Sequence, residues 1–162
     1  MSNIGLEIAL KSRDIELVRT SVGDKYVLEE LLRSGAALGG EQSGHIIMPQ
    51  VSLVGDGMMT MLSVIDALVA KERKLSEAVE GFVRYPQVLI NVRVKEKRPF
   101  EDVPAIAQAA ADLESKLDGS GRLLLRYSGT ENLARVMIEG ADQNEIERFG
   151  NELAEVIRQE LG

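Results

Sequence analysis

A chain of 162 residues with 44% hydrophobic residues has room for one ordinary domain or two small ones, each with a buried core. Its 19 basic and 26 acidic residues give a net charge of -7, which excludes a general nucleic-acid binder and a membrane-surface protein, since both need a positive field. The absence of cysteine and the single histidine exclude disulfides, thiolate chemistry and a multi-histidine metal site, and fit a reducing cytoplasm.

Ser2 or Asn3 is placed to cap a short first helix carrying Ile4, Leu6, Ile8, Ala9 and Leu10. Ile15, Leu17 and Val18 predict a short strand over residues 15–19, with Asp24 as the cap of a helix over residues 25–33. Residues 36–40 and 45–48 read as two short strands around the glycine-rich turn Gly39-Gly40-Glu41-Gln42-Ser43-Gly44-His45. Asp56 is a cap for a longer helix in which Met58, Met59 and Met61 are expected to fill core, and a shorter helix follows over residues 75–83. Strand-like alternation begins after Pro86, with Val88, Ile90, Val92 and Val94 on one face and Leu89, Asn91, Arg93 and Lys95 on the other. A helix with face Val103, Ile106, Ala107, Ala110, Leu113 and Leu117 comes next, then strands over 122–127 and 133–139, and a last helix over 143–161. The expected architecture is a partial α/β domain over 1–84, followed by a small α+β domain over 85–162. The latter runs β-α-β-β-α with its helices on one face of an antiparallel sheet.

No apolar run of about 18 residues marks a membrane span, and no Asp-x-Asp pair offers magnesium two carboxylates. Chemistry concentrates in two loops. Arg126-Tyr127-Ser128-Gly129-Thr130-Glu131-Asn132, with Arg135 beyond it, combines guanidinium groups, hydroxyls and a glycine, the inventory that grips a phosphate dianion. Arg122 adds to the local positive charge, against Glu131 alone. The structural alternative is a solvated turn whose arginines pair with Glu131 or Glu139. The turn over residues 39–45 reads as a polyol-binding loop in which Glu41 and Ser43 bond sugar hydroxyls, or as a plain hairpin with His45 an ordinary strand residue. Neither Ser43 nor Ser128 lies in a Gly-x-Ser-x-Gly elbow, so a hydrolase nucleophile is excluded.

Met1-Ser2-Asn3-Ile4-Gly5-Leu6-Glu7, Arg19-Thr20-Ser21-Val22-Gly23-Asp24-Lys25-Tyr26-Val27, Gly40-Glu41-Gln42-Ser43-Gly44-His45 and the Arg126–Glu131 run together resemble the α-D-phosphohexomutases, in that family's order and spacing. The resemblance spans nearly the whole chain. It implies most of the family's third domain, of three-layer α/β type with its first strand missing, and all of the fourth. The implied activity of the full-length parent is isomerisation of glucosamine 6-phosphate and glucosamine 1-phosphate, through a magnesium-bound phosphoserine and a bisphosphorylated intermediate that reorients. It serves amino-sugar and cell-wall precursor synthesis. Glu41 and Ser43 would then bind sugar hydroxyls, and Arg126, Ser128, Gly129, Thr130 and Arg135 the non-reacting phosphate, with His45 and Lys25 near the reacting end. Gln42 favours the glucosamine branch over the mannose and glucose branch. Tyr127 and Asn132 stand where the family usually has prolines, a departure that bears on the loop's stiffness.

The phosphoserine loop and the Asp-Gly-Asp metal loop are absent, so the chain is expected to hold no cofactor of its own and to be inactive as a mutase alone. Its expected partners are a phosphosugar and the missing N-terminal domains, with neither nucleic acid nor membrane among them. Loss of the first strand predicts an open sheet edge in the first half and self-association through it. The competing class is a non-catalytic phosphosugar-binding module.

Overall fold

Two units, Met1–Val83 and Arg84–Gly162, make up the computed structural model, which describes residues 1–162. In the first, Asn3 caps α1 (Ile4–Lys11) by accepting the Gly5 N–H at 3.0 Å. A Cβ on Gly5 would lie 1.8 Å from the Val83 carbonyl oxygen, a backbone atom that cannot swing aside. Gly5→Ala is therefore expected to destabilise this unit by about 1–3 kcal/mol, read as a lower thermal midpoint.

α2 (Asp24–Ser34) ends at Gly35, whose left-handed conformation turns the chain. Asp24 proves to be the first helical residue, not the cap. Gly23 takes the cap position, and the Asp24 carboxylate accepts the N–H of Lys25 instead. Val27 and Leu31 of α2 pack with Ile47 of a minimal hairpin, β1 (Gly39–Gly40) against β2 (Ile46–Ile47). Gly39 lets the hairpin lie on α2, because a Cβ there would fall 2.6 Å from Val27 and 2.8 Å from Leu31.

Three expectations fail in this unit. Residues 15–19 run without strand pairing, and Ile15 and Val18 stay exposed, because no other strand of the chain offers them a ladder. The hairpin is the unit's one paired sheet, and each of its two strands has an unpaired outer edge. α3 (Gly57–Ala70) is capped as expected, the Asp56 carboxylate accepting from Met58 and Met59 N–H, yet it buries no residue. Met58, Met59 and Met61 are exposed and fill no core, since the helix's apolar side chains find no covering layer within the chain. The following helix, α4, is only Leu75–Ala78. Gly81, in a left-handed conformation, and the Arg13 guanidinium bound to the Glu80 carbonyl draw the chain out of helical form.

The second unit follows the expected order. β3 (Gln87–Arg93), β4 (Arg122–Tyr127) and β5 (Leu133–Glu139) form an antiparallel sheet with β5 in the middle. Their inward residues meet α5 (Pro104–Leu117) and α6 (Gln143–Leu161) around fully buried Ile106, Val136, Ile138, Ile146 and Ile157. Asp142 caps α6 through the Glu145 N–H. The sheet's other face carries no helix and is the surface on which the arginines stand.

Candidate functional site

On that open face alternation places Leu124 and Arg126 of β4, Arg135 and Met137 of β5, and Asn91 and Arg93 of β3. The register sets Arg126 directly opposite Arg135, and Arg135 directly opposite Asn91. Two guanidinium groups facing each other across an antiparallel pair repel, so this row is an unfavourable arrangement that an anion would relieve. The Arg126 side chain makes no hydrogen bond or ion pair within the chain. The Arg135 Nε is shut off from solvent without a partner, while its terminal nitrogen lies 3.3 Å from Ser128 Oγ and 3.6 Å from the exposed Glu131 carboxylate.

Arg122 does not belong to this cluster. It is the register partner of Glu139, four residues or about 13 Å along β4 from Arg126. The two side chains form an ion pair at 2.9 Å in which Glu139 is 0% exposed. Glu139 is thus taken up by Arg122 at the far end of the sheet, leaving Arg126 uncompensated.

The connection between β4 and β5 is built tightly. Ser128, 2% exposed, donates its N–H to the Leu133 carbonyl at 2.8 Å, and its hydroxyl accepts the Glu131 N–H at 3.3 Å. Gly129 and Thr130 are exposed, and their N–H groups have no partner in the chain. Behind the loop runs the segment leaving β3. Val94 donates its N–H to the Asn132 carbonyl at 3.0 Å, and Lys97 Nζ donates to the Ser128 carbonyl at 2.7 Å. The Tyr127 hydroxyl donates to the Arg98 carbonyl at 2.6 Å, and its ring stacks on Phe100 at 4.2 Å. Burial pushes the Tyr127 phenol above its ordinary value of 10.0, against the pull of Arg98 and with help from Glu96 and Glu101, so the hydroxyl stays a donor through the neutral range. Tyr127 and Asn132 are therefore held by contacts where a proline ring would act by its own rigidity. Asn91, Arg93, Lys97 and Phe100 were missing from the sequence-based site. The alternation in β3 already put Asn91 and Arg93 on a polar face, but nothing in the sequence paired that face with β5.

The other loop lies in the first unit. Glu41 Oε1 accepts the Gly23 N–H at 3.0 Å, which ties the hairpin turn to the start of α2 and leaves the second carboxylate oxygen without this bond. Ser43 and His45 lie within hydrogen-bond reach, 3.3 Å from Oγ to Nδ1. Lys25 is exposed beside Tyr26, 3.8 Å from the Glu29 carboxylate. An open cleft of about 310 Å³ in this unit is lined by Arg19, Tyr26 and Arg33 among others, but by none of Glu41, Ser43, His45 or Lys25. No three or more Asp, Glu or His side chains converge anywhere as a metal site, and no helix is long and apolar enough to cross a membrane.

Two family profiles match the chain: phosphoglucomutase/phosphomannomutase alpha/beta/alpha domain III over residues 1–85, and the phosphoglucomutase/phosphomannomutase C-terminal domain over residues 89–156. Phosphoglucosamine mutase of Solibacter usitatus is 49% identical over 162 residues, 100% of this chain and 36% of that protein. The same enzyme of Desulfovibrio desulfuricans is 48% identical over 161 residues, 99% of this chain and again 36% of the relative. The chain therefore spans about a third of the length of the relatives it matches. A solved N-acetylphosphoglucosamine mutase from Aspergillus fumigatus shares the fold with a TM-score of 0.76 at 23% identity, over 94% of this chain and 36% of that one. A structure of the Aspergillus enzyme in complex with GlcNAc-6P and magnesium aligns with a TM-score of 0.70 at 24% identity, over 94% and 39%.

Proposed function

The chain belongs to the phosphoglucomutase/phosphomannomutase family, and from that membership we propose that it is the sugar- and phosphate-recognition part of a longer phosphoglucosamine mutase. The observation that carries the proposal is the Arg126–Arg135 pair, opposed across the sheet, with Arg126 lacking any counter-charge in the chain. Such a pair suits a phosphate dianion, to which each guanidinium can donate two parallel hydrogen bonds. In this reading the free N–H groups of Gly129 and Thr130 and the hydroxyls of Ser128 and Thr130 complete the grip on the phosphate that does not react. Glu41 and Ser43 bind sugar hydroxyls, while Lys25 and His45 stand toward the reacting end. Gln42 and the 48–49% identity to phosphoglucosamine mutases support an amino sugar.

The residues present do not fit magnesium, because no cluster of its oxygen donors forms, so no step is assigned to the metal here. What the chain's own residues do is bind and orient. Positioning supplies much of phosphoryl-transfer catalysis, but not the group that accepts the phosphoryl. The exposed apolar side chains of α3 and its neighbours fit a role beside further protein, as in relatives nearly three times as long.

Calorimetric titration of the 162-residue chain with glucosamine 6-phosphate tests the proposal. Binding with a Kd of about 1 mM or tighter is expected, with no heat from unphosphorylated glucosamine and no glucosamine 1-phosphate formed. Equal binding of both sugars would contradict phosphate recognition, and turnover by this chain would contradict its restriction to recognition.

A further inference from the structure

The loop holds four consecutive backbone N–H groups, of Ser128, Gly129, Thr130 and Glu131. The outer two are consumed inside the loop, by the Leu133 carbonyl and the Ser128 hydroxyl, so only Gly129 and Thr130 remain to meet a ligand. Gly129 is the weak point of that arrangement. It has no Cβ and nothing lies within 4 Å of where one would sit, so its own backbone dihedrals do little to hold the Ser128–Gly129 peptide in one orientation. Turned over, that peptide would present a carbonyl oxygen to the phosphate and repel it.

We propose that Lys97 is a positioning residue that fixes this peptide in its anion-binding sense. Its ammonium donates to the Ser128 carbonyl at 2.7 Å across 31 residues of sequence. In a planar trans peptide the C=O and the following N–H point in opposite directions. Anchoring the oxygen on Lys97 therefore aims the Gly129 N–H away from Lys97, where no group of the chain takes it up. The anchor is itself fixed, since the segment bearing Lys97 is tied to the loop on both sides, by Val94 to Asn132 and by Tyr127 to Arg98 and Phe100. Lys97 reaches no substrate in this role; it acts through the backbone of residue 129.

The inference rests on the phosphate-binding reading of this loop, and the test separates the two. Wild-type chain, Lys97→Met and Lys97→Arg are titrated with glucosamine 6-phosphate while the Gly129 amide is followed by NMR. In Lys97→Met, binding is expected to weaken about tenfold, and the ligand-induced shift of the Gly129 amide to collapse at matched saturation. The thermal midpoint should hold, because Lys97 is an exposed residue outside the core. Lys97→Arg, which keeps a donor, is expected to restore the shift. Weaker binding with the Gly129 shift intact would reduce Lys97 to a nearby charge and overturn the positioning role, as would unchanged binding. No response in the wild type would overturn the functional reading itself, and this inference with it.

Discussion

Arg126→Ala is expected to weaken binding of glucosamine 6-phosphate by about 10- to 100-fold while leaving the second unit as stable as before, or slightly more so. The two halves of that expectation come from one feature. Arg126 has no partner within the chain and faces Arg135 directly across the β4–β5 pair, so the folded protein bears a like-charge repulsion that alanine removes. In the complex the same guanidinium donates charge-assisted hydrogen bonds, and a net loss of about 1.5–3 kcal/mol on removing them corresponds to roughly a 10- to 100-fold loss of affinity. A residue kept for structure would behave the other way, losing stability and sparing the ligand. Titration calorimetry and urea denaturation of one variant preparation check both halves. Unchanged affinity, or a clear loss of stability, would remove Arg126 from the site.

The second large effect lies at the opposite end of the same strands. Glu139 is fully buried and paired with the mostly buried Arg122. Glu139→Leu alone is expected to destabilise the second unit by about 3–5 kcal/mol, because it leaves a guanidinium in a poorly solvated place without its carboxylate. The double substitution Arg122→Met with Glu139→Leu is expected to recover most of that loss, since a well-packed apolar pair often replaces a buried ion pair at little cost. Denaturant unfolding of the two variants decides it. A cost below about 1 kcal/mol for the single change would mean the pair behaves like a surface salt bridge.

The second unit was largely legible because its signals are local. The alternation of Val88, Ile90 and Val92, the helical spacing of Ile146, Phe149, Leu153 and Ile157, and the run from Arg126 to Arg135 each fix an element without knowledge of its neighbours. What stayed hidden was pairing. That β5 lies between β3 and β4 brings Asn91 and Arg93 onto the arginine face, and carries the segment after β3 behind the phosphate loop with Lys97 at its back. Pairing also commits Arg122 to Glu139, which local charge counting could not separate from Arg126. In the first unit local signals misled. Ile15, Leu17 and Val18 have strand propensity, but a strand needs a partner, and the chain supplies none. The apolar positions of α3 have helical spacing and do form a helix, but periodicity says which face wants cover and not whether the cover is in the same chain. The turn over residues 39–45 was placed correctly in sequence, yet the bond from Gly23 to Glu41, which ties it to α2, depends on a contact eighteen residues away.

The most direct measurement is an amide-resolved NMR titration of the 162-residue chain with glucosamine 6-phosphate, run beside unphosphorylated glucosamine. If the loop between β4 and β5 is a phosphate grip, the largest shifts in the second unit fall on Gly129 and Thr130, and glucosamine leaves these two amides unmoved. Shifts that bypass residues 126–135, or that appear equally with the unphosphorylated sugar, would contradict it.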